Sequence, residues 1–493
     1  MTLYCIDNDF QYELEGLLRL FMPDEKIIVL KDVCQEPNAP YAIARYDKKN
    51  CRVFATLNKD GCERELTKTL NNNDGESDAE RKLAGALFLL LCEEFSFRPK
   101  WGILTGVRPG KLINSLRKSL GEKAAEDYLT NELLVSPEKT RLAFEVARTQ
   151  ERILASSCRE SFSLYISIPF CPSRCTYCSF VSHSISSPAI IKSIPEYVDL
   201  MCREIALTGK AARENKLRLE SIYWGGGTPT VLEPLLLRKV FEAISQSFDL
   251  STLRELTVEA GRPDTITKEK LLVLNEYGVS RLSINPQSFN DDVLKAIGRH
   301  HTSSQTVLAY KLAREAGFNN INADLIAALP GQTHESFEKS VKAAVDMGFD
   351  SITIHTLAKK RSSALGTETA LFAEKTVLTA KMLKTAETLL RKASYRPYYL
   401  YRQSKASGNY ENVGWAKEEK ECLYNIFMME ECHSVLAVGA GAVTKLKDPS
   451  SGYIERVNNF KYPYEYISRF DEILMRKNRI SEFYGTYFIK GEN

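Results

Sequence analysis

The chain lacks a long apolar run, a strong excess of one charge, and any internal repeat or low-complexity segment. The longest apolar run near its start, Ile27–Leu30, is far too short for a signal sequence or a membrane span, so we expect neither secretion nor a transmembrane segment. The 66 Lys and Arg nearly balance the 63 Asp and Glu, which gives no electrostatic reason to expect binding to nucleic acid or a membrane. The 493 residues leave room for two or three globular domains.

Only three of the twelve cysteines are spaced like the ligands of one metal site. They are Cys171, Cys175 and Cys178, in a C-x3-C-x2-C pattern. No second pair follows that would complete a zinc site, because the next cysteine is Cys202 and His183 stands alone. Three thiolates on one loop can instead hold three irons of a 4Fe–4S cluster and leave the fourth iron open to a small molecule. A zinc ribbon or chance clustering is the alternative. The other cysteines indicate buried thiols of a reducing cytoplasm.

Short strand-like runs alternate with helix-length segments from Leu164 onward. The predicted strands are Leu164–Ile168, Ser221–Trp224, Leu256–Glu259, Arg281–Ile284, Ile321–Leu325 and Ser351–His355. The predicted helices are Glu196–Lys210, Glu233–Gln246, Lys268–Tyr277, Phe289–Ile297, Thr306–Ala316 and His334–Asp346. This order predicts right-handed βαβ units and a parallel sheet. Six units are fewer than the eight of a closed barrel, so we predict an α/β fold with an open six-stranded parallel (β/α)6 partial barrel over residues 160–370.

Two regions flank the predicted barrel. Residues 1–155 are predicted to form a separate α+β domain of unknown role, which includes a hairpin of Tyr41–Tyr46 and Cys51–Thr56. Residues 371–493 are predicted to form a mixed C-terminal region that covers the substrate, beginning with a helix over Leu371–Ser394.

The segment Gly106–Lys111 is superficially like a phosphate-binding loop. It has three residues between its glycines where that loop has four, and Leu112 stands where the loop needs a hydroxyl. We therefore predict a turn before a helix.

Polar or glycine residues follow the ends of several predicted strands. The second strand leads into Trp224–Thr230, which contains three consecutive glycines, and the third ends at Glu259. The fourth leads to Gln287 and then Arg299, and the fifth carries Asp324. Each residue alone could belong to a turn or a helix cap. Because the carboxyl ends of parallel strands meet at one edge of the sheet, we expect these residues to gather near the cysteines.

Several motifs together give the chain a resemblance to a known family. They are Tyr165–Cys171, the GGGTPT run Gly225–Thr230, Leu282–Phe289, Gly298–His300 and Asp324–Gly331. On these motifs the chain resembles a radical S-adenosylmethionine enzyme of the oxygen-independent coproporphyrinogen III dehydrogenase group over residues 160–445. It is most similar to the HemZ-type branch, through Thr257–Asp264, His355–Arg361 and Tyr399–Gln403.

The resemblance implies two cofactors, a 4Fe–4S cluster and S-adenosylmethionine. The cluster ligands it implies are Cys171, Cys175 and Cys178. The residues it assigns to S-adenosylmethionine are Tyr165, Gly226, Gly227, Thr228, Glu259, Gln287, Arg299 and Asp324. Arg299 would pair with the carboxylate of that ligand, and the acidic residues and Gln287 would bind its ribose and neighbouring polar groups.

The reaction implied by the resemblance turns two propionates of coproporphyrinogen III into the vinyl groups of protoporphyrinogen IX, in haem biosynthesis. No catalytic residue is assigned beyond the radical that the cofactors generate. The candidate anchors for substrate carboxylates are Arg262, Lys359, Lys360, Arg361 and Arg402. The expected partners are a porphyrinogen or haem-like tetrapyrrole and an electron donor such as flavodoxin or ferredoxin, and the expected location is the cytoplasm.

One position departs from the dehydrogenase pattern. Phe180 stands where established members carry a further cysteine two residues after the triplet, and the haem-chaperone branch shares this feature. A haem-binding chaperone is therefore the alternative function. An anaerobic tetrapyrrole-modifying or haem-degrading enzyme is the third.

Overall fold

The computed structural model describes residues 1–32, 39–358, 372–403 and 406–487. The chain divides into two compact units. The N-terminal unit consists of Met1–Ala147 and the described parts of 367–377 and 400–411. The core unit consists of the described parts of 148–366, 378–399 and 412–493. The predicted C-terminal region, 371–493, is thus shared between the two units.

The N-terminal unit is built on a mixed sheet. Its strands are β1 (Thr2–Ile6), β2 (Ile28–Leu30), β3 (Tyr41–Asp47), β4 (Arg52–Lys59) and β5 (Cys62–Thr69), in the spatial order β2-β1-β3-β4-β5. The predicted hairpin is confirmed, because β3 and β4 pair antiparallel. The first helices of the chain are α1 (Gln11–Phe21), α2 (Glu76–Phe95), α3 (Pro109–Leu120), α4 (Glu122–Asp127) and α5 (Pro137–Ala155). Since α3 begins at Pro109, the predicted turn before a helix is confirmed as well.

Buried residues alternate with less buried ones along the hairpin, and the buried ones form part of the core of this unit. Ala42 and Ala44 of β3, with Val53 and Ala55 of β4, are fully buried, while their sequence neighbours are less so. Side chains two apart on a strand share a face, so these residues form one apolar surface. They lie in one hydrophobic cluster with the inner face of α2, including Leu87.

The core unit contains a large sheet. The strands that follow β5 are β6 (Ser161–Ile168), β7 (Phe170–Cys171), β8 (His183–Ser184), β9 (Arg218–Gly226), β10 (Glu255–Glu259), β11 (Arg281–Ser283), β12 (Ile321–Ala327), β13 (Ser351–Thr356), β14 (Arg396–Arg402), β15 (Glu411–Ala416), β16 (Ser434–Val438), β17 (Val443–Lys447) and β18 (Ile454–Asn458). Within the described residues the large sheet has the order β14-β15-β13-β12-β11-β10-β9-β6-β16-β17-β18, and β7 pairs separately with β8.

Helices connect the successive parallel strands. The helices that follow α5 are α6 (Pro188–Glu214), α7 (Pro234–Ser247), α8 (Lys268–Glu276), α9 (Asp291–Ala296), α10 (Ser303–Glu315), α11 (His334–Asp346), α12 (Phe372–Lys392), α13 (Leu423–Glu430), α14 (Pro463–Ser468) and α15 (Phe470–Tyr487). None of the helices in the described residues has both the length and the apolar character needed to cross a lipid bilayer.

The mixed α/β class and the large parallel sheet agree with the sequence prediction. Strands β6, β9, β10, β11, β12 and β13 are parallel neighbours in the predicted order. The sheet also continues beyond the six predicted strands. Strand β16 adds a further parallel neighbour beside β6, and antiparallel strands extend both edges.

The six central strands have one polar and one apolar face. The polar face carries Ser163, Tyr165, Ser221, Tyr223, Thr257, Glu259, Arg281, Ser283, Asn322, Asp324, Ser351 and Thr353, which the strand register aligns. The residues between them, such as Leu164, Ile222 and Val258, are buried and apolar. A parallel sheet packed by helices on both faces usually has continuous apolar strands, so the polar face distinguishes this sheet from that pattern.

Candidate cofactor site

The three clustered cysteines lie on one short loop. The cysteine loop, residues 171–182, runs from β7 to β8, and its Cys171, Cys175 and Cys178 are half-buried. The amide N of Cys178 donates to the carbonyl O of Cys175 at 3.2 Å. Burial raises the pKa of the Cys171 thiol, and it raises the pKa of Cys178 to about 11. Cysteine ligands bind as thiolates, so loading a cluster here would release protons.

The donor set of the loop fits an iron–sulfur cluster. Anywhere in the residues that the structure describes, no group of three His, Cys, Asp or Glu side chains is arranged around the position of a single metal ion. A cluster requires a wider arrangement than a mononuclear site, because each thiolate binds a different iron. Three thiols on one loop satisfy that requirement.

Two backbone hydrogen bonds join the residues that follow β9 to the segment that leads into the cysteine loop. The amide N of Gly227 donates to Ile168 O at 2.7 Å, and the amide N of Thr228 donates to Phe170 O at 2.8 Å. A Cβ atom at Gly227 would lie 2.5 Å from Phe170 O and 2.7 Å from Ile168 O. Thr228 Oγ1 lies 3.5 Å from the sulfur of Cys171. The glycine is therefore needed for a close approach between two backbone segments, one of which leads into the loop.

The carboxyl end of α9 holds the middle of the cysteine loop. Ser173 Oγ donates to Gly298 O at 3.1 Å, and the amide N of Thr176 donates to Ile297 O at 3.0 Å. The next residue along the chain, Arg299, is thereby placed beside the cysteines.

Arg299 is buried but retains an unused donor. Its Nη1 donates to Asn285 O at 2.6 Å and to Gly261 O at 3.3 Å, while its Nε has no hydrogen-bond partner among the described residues. Burial disfavours its charge, but the neighbouring Tyr177 and Cys175 outweigh that effect and raise its pKa. A permanently charged guanidinium with a free N–H is suited to bind the carboxylate of a ligand.

Two of the predicted ligand residues have a left-handed backbone. Gly226 has φ of +99°, and Gln287 has φ of +67° although it is not a glycine. The amide N of Gln287 donates to Asp324 O at 2.9 Å. Its buried Oε1 has no partner within the described part of the chain. Backbone strain at a non-glycine residue is typical of functional sites, and the unused acceptor fits a hydroxyl donor.

Asp324 is held as a carboxylate on the polar face. Asn322 Nδ2 donates to Asp324 Oδ1 at 2.8 Å, and His355 Nε2 lies 3.6 Å from Asp324 Oδ2. Burial acts to raise the pKa of Asp324, but His355 and Asn322 outweigh it, and the pKa is lowered. The ionised group can therefore accept hydrogen bonds from ligand hydroxyls.

Three tyrosines form a stack on the polar face. The ring centroids of Tyr165 and Tyr223 lie 6.3 Å apart, those of Tyr165 and Tyr424 lie 6.0 Å apart, and those of Tyr223 and Tyr424 lie 4.5 Å apart. The first two come from adjacent strands in register. Tyr424 comes from α13, whose start is fixed because Glu255 of β10 accepts from the amides of Leu423 and Tyr424.

Glu259 lies beside this stack. The Tyr223 hydroxyl donates to Glu259 Oε1 at 2.5 Å. Burial raises the pKa of Glu259 to about 7, against the lowering effect of the Tyr223 hydrogen bond and with a further rise from Asp324. The carboxyl group thus titrates near neutral pH.

Sequence reasoning missed three residues at this site. Tyr223 could have been found, because it stands two residues before the glycine run and shares the period-two polar face with Tyr165. No local pattern identifies Tyr424. His301 follows the Gly298–His300 motif and is buried, and neither of its ring nitrogens has a partner in the residues described.

Of the predicted substrate anchors, Arg262 lies near the cysteine loop. Its Nε and Nη2 donate to the two carboxylate oxygens of Asp264 at 3.0 and 2.9 Å, and its Nη1 donates to Ser173 Oγ at 2.9 Å. The contact with Ser173 joins Arg262 to the cysteine loop, while the two bonds to Asp264 fix the orientation of the guanidinium.

Arg402 belongs to the N-terminal unit. It is buried there, and it donates to the carbonyl oxygens of Leu104 and Asn409. Burial lowers its pKa to about 10. The remaining predicted anchors, Lys359, Lys360 and Arg361, lie outside the described residues.

The chain is similar in sequence to several known proteins. The family model of the Radical SAM superfamily matches residues 165–344. The chain is 38% identical over 388 residues to the oxygen-independent coproporphyrinogen-III oxidase-like protein HemZ of Bacillus subtilis, covering 78% of this chain and 77% of that protein. It is 38% identical over 196 residues to the heme chaperone HemW of the same organism, covering 40% of this chain and 50% of that protein. The structure of coproporphyrinogen III oxidase HemN from Escherichia coli aligns with a TM-score of 0.49 at 22% identity, covering 66% of this chain and 72% of that chain.

This protein belongs to the radical S-adenosylmethionine class. Its parallel sheet, the cysteine loop that follows strand β6 and the family match together define that class. Members of this superfamily bind a 4Fe–4S cluster and S-adenosylmethionine, which are the two cofactors predicted from the sequence. Within that class, the chain belongs to the HemN/HemZ-like group.

Proposed function

We propose that this protein converts two propionate side chains of coproporphyrinogen III into vinyl groups, forming protoporphyrinogen IX without oxygen. The observation that carries the proposal is the similarity to HemZ, which covers 78% of this chain and so extends well beyond the superfamily match. When bound, the cluster and S-adenosylmethionine would supply radical chemistry that removes a hydrogen atom from a propionate β-carbon, and the carboxyl group would leave as CO2 while one electron passes to an external one-electron acceptor.

We propose that Cys171, Cys175 and Cys178 are the cluster ligands. The residues proposed to bind S-adenosylmethionine are Tyr165, Gly226, Gly227, Thr228, Glu259, Gln287, Arg299 and Asp324. The unused Nε of Arg299 and the unused Oε1 of Gln287 support this assignment, since buried polar atoms are normally hydrogen-bonded.

We also propose that the large sheet curves into an open partial barrel around this ligand. The polar face of the six central strands supports this proposal, because it supplies hydrogen-bonding groups where a packed core would be apolar. The lining residues would exclude water from the reacting carbon and hold the substrate beside the nucleotide.

Recognition of the porphyrinogen requires cations. Lys359, Lys360 and Arg361 follow β13 in the chain and remain proposed anchors for propionate groups. As anchors, Arg262 and Arg402 would exchange their present protein partners for a substrate carboxylate. We further propose a cytoplasmic location, which keeps the thiols reduced, and an electron donor of the flavodoxin or ferredoxin type.

An anaerobic turnover assay tests this function. Protein with a reconstituted cluster is incubated with S-adenosylmethionine, a reductant and coproporphyrinogen III. We expect release of CO2 and formation of protoporphyrinogen IX. Formation of deoxyadenosine without loss of coproporphyrinogen III would contradict the proposal.

Haem delivery is the second candidate function. The similarity to HemW and the exposed Phe180, at the position of the missing cysteine, favour it. Stoichiometric binding of haem without porphyrinogen turnover would identify this function. Breakdown of the bound haem would instead identify the third candidate, an anaerobic haem-degrading or tetrapyrrole-modifying enzyme.

A further inference from the structure

Tyr223 is fixed in place by a hydrogen bond as well as by packing against other rings. Its ring packs against the rings of Tyr165 and Tyr424, with interplanar angles of 16° and 23°. Its hydroxyl donates to Glu259 Oε1 at 2.5 Å. The neighbouring Gly225 leaves room for this contact, because a Cβ atom there would lie 3.2 Å from the Glu259 carboxyl group.

We propose that Tyr223 is a positioning residue that fixes the orientation of the Glu259 carboxyl group for binding S-adenosylmethionine. This inference rests on the proposed function in one respect, namely the assignment of Glu259 to the nucleotide site. It does not depend on which tetrapyrrole the protein binds. The Tyr223 hydroxyl acts through Glu259 and need not touch the ligand.

The aromatic neighbours make the orientation of Tyr223 specific. Because its ring packs against two others, the phenol has little freedom to rotate away, so its hydroxyl is directed at one carboxylate oxygen. A hydrogen bond to an ionised acceptor is stronger than one between neutral groups. The other carboxylate oxygen of Glu259 remains available to a hydroxyl of the ligand.

The charges around Glu259 explain why this hydrogen bond matters. Asp324 disfavours the ionised carboxyl group, Arg281 favours it, and the buried phenols of Tyr165 and Tyr424 face it without compensating charge. Burial places the pKa of Glu259 at about 7, and the Tyr223 hydroxyl holds it down. Removal of that hydroxyl should raise the pKa further, so that Glu259 becomes protonated at neutral pH.

The substitution Tyr223→Phe tests the proposal, because it keeps the aromatic stack and removes one oxygen. Tyr277→Phe is the matched control. Tyr277 also stacks on an aromatic ring, that of Phe241, and also hydrogen-bonds a glutamate, Glu242, at 3.4 Å. Glu259→Gln removes the titrating group itself.

The measurement is the dissociation constant of S-adenosylmethionine for each cluster-loaded protein as a function of pH. For Tyr223→Phe we expect binding about tenfold weaker than wild type near neutral pH, with recovery as the pH rises by about one to two units. Tyr277→Phe should match wild type throughout. Glu259→Gln should bind weakly with no titration in this range.

Two outcomes would separate the possible failures. If Glu259→Gln weakens binding while Tyr223→Phe follows the wild-type pH profile, the positioning role of Tyr223 is wrong. If Glu259→Gln binds as tightly as wild type, the assignment of Glu259 to the nucleotide site is wrong. A loss of affinity in Tyr223→Phe that does not change with pH would indicate a packing defect and would also overturn the inference.

Discussion

At the scale of single residues, the cysteine loop determines which cofactor the protein can hold. Its three thiols are near one another in sequence and are half-buried, and the backbone around them is fixed by β9 and α9. The loop is therefore prepared for a cluster before iron arrives. In the residues that the structure describes, no other three His, Cys, Asp or Glu side chains are arranged to hold a metal ion.

We expect Cys175→Ala to lose most of its iron and its brown colour after anaerobic reconstitution, because the cluster would keep only two protein ligands. Iron content and visible absorption provide the measurement. Cys202→Ala is the control, since Cys202 lies on α6 outside the cysteine loop. Full iron content in Cys175→Ala would show that the ligand assignment is wrong.

Acid stability depends on a buried histidine. His433 Nδ1 lies 2.8 Å from Ser157 Oγ and its Nε2 lies 2.8 Å from Ser163 Oγ, while burial lowers its pKa to about 3. The unfolded chain, with a histidine pKa of about 6.5, binds more protons than the folded one between these values. The free energy of unfolding therefore falls as the pH falls through that range.

Replacement of His433 by Gln should reduce this acid sensitivity by about 1.4 kcal/mol per pH unit within the window. The pH dependence of thermal unfolding from about pH 6 to about pH 4 measures the effect. The variant loses packing against Phe427 and is expected to be less stable at neutral pH, so only the slope is diagnostic. An unchanged slope would contradict a neutral His433 in the folded state.

At the scale of elements, the junction of β9 with the cysteine loop leaves no room for a side chain at Gly227. Gly227→Ala would place a Cβ atom 2.5 Å from Phe170 O, so one of the two backbones must move. We expect a loss of about 1–3 kcal/mol of stability, as for overpacked cores, together with a lower cluster content. Thermal unfolding and iron analysis measure both.

The control for this substitution is Gly485→Ala in α15. A Cβ atom there meets nothing within 4 Å, and alanine favours a helix over glycine. That variant should be as stable as wild type or slightly more so. Equal behaviour of the two variants would contradict the steric role of Gly227.

Much of the core unit could be predicted from the sequence, because its order comes from local patterns. Each predicted parallel strand overlaps an observed one, since apolar runs separated by helical segments specify βαβ units. Helix α6 was predicted to begin too late, at Glu196. It begins at Pro188 and contains Pro195, which the pattern treats as a boundary.

The features that could not be predicted from the sequence depend on contacts between distant parts of the chain. Strand β16 pairs with β6, which lies far earlier in the sequence, and no local feature of Ser434–Val438 indicates that partner. Likewise, Tyr424 reaches the site because Glu255 caps α13. The glycine run was predicted to admit a ligand, whereas Gly227 also admits a neighbouring backbone.

At the scale of the whole core unit, a buried ion pair joins elements that are distant in sequence. Lys477 of α15 and Glu204 of α6 are both buried, with Nζ and Oε1 2.8 Å apart. Glu204 Oε2 also accepts from the amide of Gly439 at 2.8 Å and from the Tyr466 hydroxyl at 2.6 Å. The C-terminal segment is thereby attached to the helix that follows the cysteine loop.

We expect Lys477→Met to destabilise the core unit by about 3–5 kcal/mol, because Glu204 would be left as an uncompensated buried charge. Chemical denaturation followed by fluorescence measures this. Lys210→Met is the control, since Lys210 and Glu214 form an exposed pair on the same helix at 3.8 Å. A loss as small as that of the control would contradict the structural role of the buried pair.

The proposed cofactor site consists of three cysteines that hold a cluster whose remaining iron binds S-adenosylmethionine. The most direct test is the electron paramagnetic resonance spectrum of the anaerobically reduced, cluster-loaded protein before and after this nucleotide is added. We expect a changed spectrum, because a new ligand alters the environment of the iron. An unchanged spectrum at saturating nucleotide would contradict it.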